Sequence, residues 1–182
     1  MPKYTENWYD NNTELAVELG YGLVKDLDGS IVEVGSWEGK SSVHIANLVY
    51  PEKLICIDTW EGTPYETYEV EQYKQRDIES IFRDNIKHGT KNNVDSHKMS
   101  WQTFFASHPK IKIKFLYLDG PHGYDDVCDQ INSLKLFIVK GGIMLGDDYH
   151  YFNSVKTAVN DCLGNSHQVS PHDIDTWQWI NN

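Results

Sequence analysis

Four short apolar stretches recur along the chain: IVEVG (31–35), KLICID (53–58), IKIKFLYLD (111–119) and IMLGDD (143–148), the last three closing on aspartate. Strands that are apolar on both faces are buried on both faces, the habit of parallel sheets covered by helices. Between them the spacing turns helical: Val43, Ala46 and Val49 follow the first stretch, and Val127, Ile131, Leu134 and Ile138 follow the third. With a weak strand at 94–99, a short helix WQTFFASH, and a final antiparallel pair in HQVSPHDIDTWQWI around a Pro-Asp turn, the count reaches seven strands. The pattern predicts a Rossmann-like, doubly wound α/β fold with a mostly parallel seven-stranded sheet and an antiparallel C-terminal edge hairpin. Ligands of such sheets bind beyond the carboxyl ends of the strands. That rule gathers Gly35, Asp58, Asp119, Asp147 and Asp148 at one rim.

A chain of 182 residues suits one domain, here 1–182, with an N-terminal helical segment (1–28) and a helical insertion or lid (61–93). Leu15, Leu19, Leu23 and Leu27, with Val17 and Val24 nearby, predict an amphipathic N-terminal helix. TYEVEQYKQRDIESIFRDNIKHG reads as one long polar helix carrying Val70, Tyr73, Ile78, Ile81, Phe82 and Ile86. Gly141 and Gly142 are expected to stop the helix that contains Val127.

Twenty-seven acidic against 16 basic side chains give a formal charge of −11, which argues against nucleic acid and anionic membrane as partners. The N-terminus lacks a basic start followed by an apolar stretch, and no run approaches a membrane span, so a cytoplasmic protein is expected. Cys56, Cys128 and Cys162 show no C-x-x-C spacing and read as buried thiols rather than a disulfide framework or zinc site.

IVEVGSWEGKSS (31–42) has the outline of a phosphate loop, but Gly35 and Gly39 enclose three residues where a P-loop needs four. Trp37 occupies the place where a dinucleotide fingerprint has its second glycine. Glu33 and Glu38 would repel a pyrophosphate. A ligand with a positive end fits the turn better.

The motifs EVGSWEGKSS, IDTWEG, MSWQTF, LDGPHGYDDV and KGGIMLGDDYH, in this order over roughly residues 31 to 160, resemble those of class I S-adenosylmethionine-dependent methyltransferases, particularly metal-dependent small-molecule O-methyltransferases similar to macrocin O-methyltransferase. The resemblance implies a sulfonium and ammonium ligand, S-adenosylmethionine, with S-adenosylhomocysteine as product. It places Glu33, Gly35, Ser36, Trp37 and Gly39 along the methionine part and Ser41 near its carboxylate at a helix N-terminus. It puts Asp58 on the ribose, with Trp60, Met99, Ser100 and Trp101 enclosing the adenine. A turn or cap role is the alternative for Asp58, and Trp60 and Trp101 could equally be core.

Three carboxylates, Asp119, Asp147 and Asp148, brought to one rim repel one another unless a cation lies between them. Oxygen ligands favour Mg²⁺, with Mn²⁺ or Ca²⁺ as alternatives, and the resembled family holds its metal at the corresponding positions. Helix capping by Asp147 and Asp148 is the plain alternative. A second metal reading takes His122, His150 and one aspartate. His122 and His150 are the candidates for general base, beside a catalytic Asp119, because Pro121 stands where some sugar O-methyltransferases carry a second aspartate. The function expected is metal-assisted methylation of a hydroxyl on a small molecule (sugar, polyol or aromatic diol). The rivals are a phosphotransferase using Gly39, Lys40 and Ser41, and a non-catalytic cofactor-binding module. Self-association is a further expectation of the resemblance.

Overall fold

The computed structural model describes residues 1–172 and 175–182, apart from the side chains of Thr67, Glu69, Val70 and Tyr73. Seven strands form one mixed sheet in the order β3-β2-β1-β4-β5-β7-β6. They are β1 (Ser30–Val34), β2 (Leu54–Asp58), β3 (Val94–Lys98), β4 (Ile113–Leu118), β5 (Ile138–Gly146), β6 (His167–Val169) and β7 (Trp177–Ile180). The first five run parallel. At the other edge β7 is antiparallel to both β5 and β6, the expected hairpin. Every residue of β4 (IKFLYL) is buried, as a central strand covered on both faces requires, and its one charged side chain, Lys114, pairs with Glu52 at 2.8 Å.

Helices α1 (Asn11–Val24), α2 (Lys40–Val49), α3 (Thr67–Gln75), α4 (Ile78–Gly89), α5 (Trp101–Ser107), α6 (Tyr124–Leu134) and α7 (Asn153–Leu163) clothe the sheet. Val32, Val34, Leu116, Leu118 and Met144 on one face pack with Phe104, Ile131, Val155 and Val159. Ile31, Phe115, Tyr117, Ile143 and Leu145 on the other pack with Val17, Tyr21, Ile45 and Phe82. The alternation of strand side chains thus supplies two cores.

Three local expectations are corrected. The leucine stripe of α1 faces outward: Leu15, Leu19 and Leu23 are exposed, whereas Ala16, Val17, Gly20, Tyr21 and Val24 are buried. Close approach to the sheet decides this, since a Cβ on Gly20 would stand 2.6 Å from Leu145 Cδ1. Gly20 lies at the closest approach to the sheet, and Tyr21 and Val24 are buried on the same side.

The long lid helix is two helices. Arg76 leaves the helical region at φ −138°, and Asp77 caps α4 by accepting from the Ser80 backbone N–H at 3.0 Å. Val70 and Tyr73 of that stretch, and Asp173 of the expected Pro-Asp turn, lie outside the described residues. Gly141 and Gly142 do not stop a helix. They lie inside β5, where the register against β4 shifts and Gly141 takes φ +79°, a bulge; a 3-10 turn at Lys135–Phe137 ends α6 instead. Of the thiols, Cys56 is buried, while Cys128 and Cys162 are half-buried and adjacent, their sulfurs 2.9 Å apart.

Candidate functional site

The turn after β1 is held open by its own strand-end partner. Asp58 Oδ2 accepts from the backbone N–H groups of Ser36 (2.8 Å) and Trp37 (3.0 Å), and Oδ1 accepts from Trp60 N–H at 2.7 Å. Trp37 thereby keeps φ +47°, and Gly35, at φ +85°, passes so close to the chain after β4 that a Cβ would lie 1.8 Å from the Asp119 carbonyl oxygen. Asp58 therefore closes a turn, and any ribose contact would share its remaining lone pairs. Burial pushes its carboxyl up, against the pull of the backbone N–H groups.

Glu33 forms the floor. It is fully buried, and its Oε2 accepts from Ser36 Oγ at 2.7 Å, from Ser42 Oγ and from Cys56 Sγ at 3.3 Å. Its Oε1 has no hydrogen-bond partner among the described residues. Burial raises its pKa, with the surrounding hydroxyls opposing. A buried carboxylate with a vacant acceptor suits a cationic donor.

A second group stands at the ends of β4 and β5. Among the described residues, Asp119, His122 and Asp148 offer ligand atoms that all lie within 4.8 Å of one another. Glu66 Oε1 accepts from the His122 backbone N–H and meets Nδ1, both at 3.0 Å. The other ring nitrogen, Nε2, lies 2.8 Å from Asp148 Oδ2, yet off the line of a hydrogen bond. Phe152 stacks on the ring at 4.2 Å and Ser154 Oγ donates to the His122 carbonyl, so the imidazole is fixed from all sides. Burial pulls the His122 pKa down, but the Asp148 and Glu66 carboxylates prevail and push it up to about 11. Asp119 is pushed well up by burial and by the charges of Asp147 and Asp148. Such crowding is what a divalent cation relieves, and an imidazole turned by a carboxylate behind it is a common metal-ligand arrangement.

Asp147, expected as a metal ligand, is not one of the three residues of that cluster, although its charge bears on Asp119. Its Oδ2 accepts from Tyr117 Oη at 2.9 Å and its Oδ1 from the Asp148 backbone N–H at 3.0 Å. His122 takes its place in the cluster, a position found by its three-residue spacing from Asp119 and read in the sequence chiefly as a base. His150 is exposed and outside the cluster, its backbone N–H bonded to Asp175 Oδ1. The two-histidine metal set is therefore not assembled.

The tryptophans divide. Trp60 is core, 4.7 Å from the Phe82 ring, with its indole N–H on the Trp37 carbonyl. Trp101 and Met99 pack half-buried against the sheet, and Ser100 caps α5 through Thr103 N–H. Ser41 and Gly39 are buried at the start of α2. Trp37 is half-buried and meets the exposed Trp8 at 5.4 Å, and Trp8 meets Tyr68 at 6.0 Å. The centre of this aromatic wall, Trp8, comes from the first ten residues, which carry no motif.

A family model described as a methyltransferase domain matches residues 32–149. No curated protein matches the chain in sequence. Among solved structures the chain is similar to CalS11, a calicheamicin methyltransferase, with a TM-score of 0.72 at 15% identity over 94% of this chain and 80% of that one. It is similar to the O-methyltransferase NovP at TM-score 0.72 and 17% identity, with 94% and 80% covered. A fibrillarin from Aeropyrum pernix with natively bound S-adenosyl-L-methionine aligns at TM-score 0.56 and 14% identity, with 91% and 72% covered. These similarities carry the fold.

Proposed function

The chain belongs to the methyltransferase domain family, and from that premise we propose that it methylates a hydroxyl of a small molecule, with S-adenosylmethionine as donor and a divalent cation assisting. The observation that carries this is the pairing of two sites on one rim: an acidic glycine turn over the vacant Glu33 Oε1, and the Asp119, His122 and Asp148 cluster beside it. The donor supplies a methyl group on a sulfonium, and the cation supplies positive charge that makes a nearby hydroxyl more acidic.

The protein's own part is to bind and orient. Glu33 and the turn 35–39 would hold the cationic head of the donor. Two carboxylates and one imidazole suit Mn²⁺ better than Mg²⁺, because the imidazole replaces one oxygen of the set expected for a hard cation. Glu66 orients His122 by accepting a hydrogen bond from Nδ1–H, which leaves the Nε2 lone pair for a cation. With Nδ1 committed and Nε2 facing Asp148, His122 serves the cation site better than it serves as a base. Trp8, Trp37 and Tyr68 offer flat surfaces to a sugar or aromatic ring, the acceptor classes proposed. The net charge of −11 favours such a partner over nucleic acid or an anionic membrane.

A phosphate-binding role for the turn fits poorly. The backbone N–H groups of Ser36 and Trp37, which would cradle a phosphate, are spent on Asp58, and Lys40 Nζ bonds to Asn7 Oδ1. Calorimetric titration with S-adenosylmethionine, S-adenosylhomocysteine and ATP, each with Mg²⁺ and with EDTA, tests the reading. Micromolar binding of the adenosyl compounds, about −8 kcal/mol, is expected, followed by Mg²⁺-dependent methyl transfer across a panel of diols. ATP binding alone would sink the proposal, and donor binding without turnover on any diol would point to a binding module.

A further inference from the structure

The first nine residues run as a strap across the glycine turn. Thr5 donates from both its backbone N–H and its hydroxyl to Glu38 at 2.8 Å, the Lys3 N–H bonds to Asn85 Oδ1 at 2.7 Å, and Trp8 rests on Trp37. The strap ends at Tyr9, just before Asp10, which caps α1. Tyr9 is 4% exposed, edge-on to Tyr117 at 6.1 Å and to His44 at 5.7 Å. Its ring is thus core, but its hydroxyl has no hydrogen-bond partner among the described residues.

A buried phenol without a partner is a cost that phenylalanine would avoid, so the hydroxyl asks for a ligand. A second vacant atom lies close by. Tyr117 is the cross-strand neighbour of Glu33, and Tyr9 packs on Tyr117, so Tyr9 covers the same patch of the sheet whose floor includes Glu33 Oε1. The charges felt at Tyr9 are all negative: Glu33, Glu14, Asp147 and Glu18. A carboxylate and a phenol oxygen in an anionic enclosure select a cation with several N–H donors.

We propose that Tyr9 and Glu33 together receive a primary ammonium group, which makes the N-terminal strap part of the donor pocket. The assignment rests on the methyltransferase reading, under which that group is the amino group of the S-adenosylmethionine head. Tyr9 then becomes a binding residue contributed from outside the residues 32–149 of the family match.

The test compares wild type with Tyr9→Phe, which keeps the ring and removes only the hydroxyl. S-adenosylhomocysteine and 5′-methylthioadenosine, the same kind of nucleoside thioether without an amino-acid head, are titrated against each. The expected result is a loss of about tenfold to a hundredfold in S-adenosylhomocysteine affinity, with 5′-methylthioadenosine affinity unchanged and the thermal midpoint of the ligand-free protein equal or higher. Unchanged S-adenosylhomocysteine affinity overturns the assignment. Equal weakening of both ligands also overturns it, because Tyr9 would then act through the shape of the pocket. If wild type binds 5′-methylthioadenosine or neither compound, but not S-adenosylhomocysteine, the parent reading has failed and the ammonium assignment falls with it.

Discussion

Tyr117 donates to Asp147 Oδ2 at 2.9 Å, while the adjacent Asp148 is the one of the pair that joins the cluster at the rim. Asp148, at φ +65°, turns its carboxylate to His122 while Asp147 stays with the tyrosine. Asp119→Asn and Asp148→Asn should therefore abolish the thermal stabilisation given by Mn²⁺, whereas Asp147→Asn should keep most of it. At a concentration a hundredfold above Kd the wild type should gain about 2.7 kcal/mol. Equal loss in all three variants, read by thermal shift, would restore Asp147 as a ligand.

Glu66 stands behind His122, accepting from its backbone N–H and meeting its ring Nδ1. Removal of such an outer carboxylate typically costs about 10–100-fold in metal affinity. Glu66→Gln should show a loss of that order in Mn²⁺ titration, with the fold intact by circular dichroism. An unchanged affinity would mean that the imidazole needs no orienting partner.

The His122 imidazolium links protonation to stability. Its folded pKa of about 11 lies above the unfolded value of about 6.5, so its contribution is complete below about pH 6.5 and fades as pH rises towards about 11. In EDTA, the gap in thermal midpoint between wild type and His122→Gln should be widest near pH 6 and should shrink steadily through pH 9. A gap that stays constant or widens would show that the two carboxylates do not hold a proton on this ring.

The strand ends were legible because buried parallel strands are written as apolar runs, and their terminal acids mark one rim whatever the helices do. The difference between Asp147 and Asp148 was not, because it lies in contacts such as Tyr117 with Asp147 that spacing does not carry. Nor was the role of Tyr9, since the strap has no periodicity and reaches the turn only through contacts such as Thr5 with Glu38. The α1 helix failed differently. Two stripes share its period, and leucine content pointed to one of them, whereas the close approach of Gly20 to Leu145 goes with the other, which carries Ala16, Val17 and Tyr21. Leu19→Glu should then shift stability by less than about 0.5 kcal/mol, and Val17→Ala should cost about 1–3 kcal/mol in urea unfolding. The reverse order would place the leucines in the core.

Gly35 joins the two halves of the site, because its Cα faces the Asp119 carbonyl with no room for a methyl group. Alanine there would meet both the φ +85° backbone and a contact of 1.8 Å, so the turn and the end of β4 must move apart. Gly35→Ala should cost at least about 3 kcal/mol and should weaken donor binding and Mn²⁺ stabilisation together, since Asp119 moves with its backbone. Gly22 is the control. A Cβ there meets nothing within 4 Å on an exposed helix face, so Gly22→Ala should stabilise by about 1 kcal/mol and leave both titrations unchanged. Donor binding lost in Gly35→Ala with the Mn²⁺ response preserved would show that turn and cluster are neighbours without being coupled.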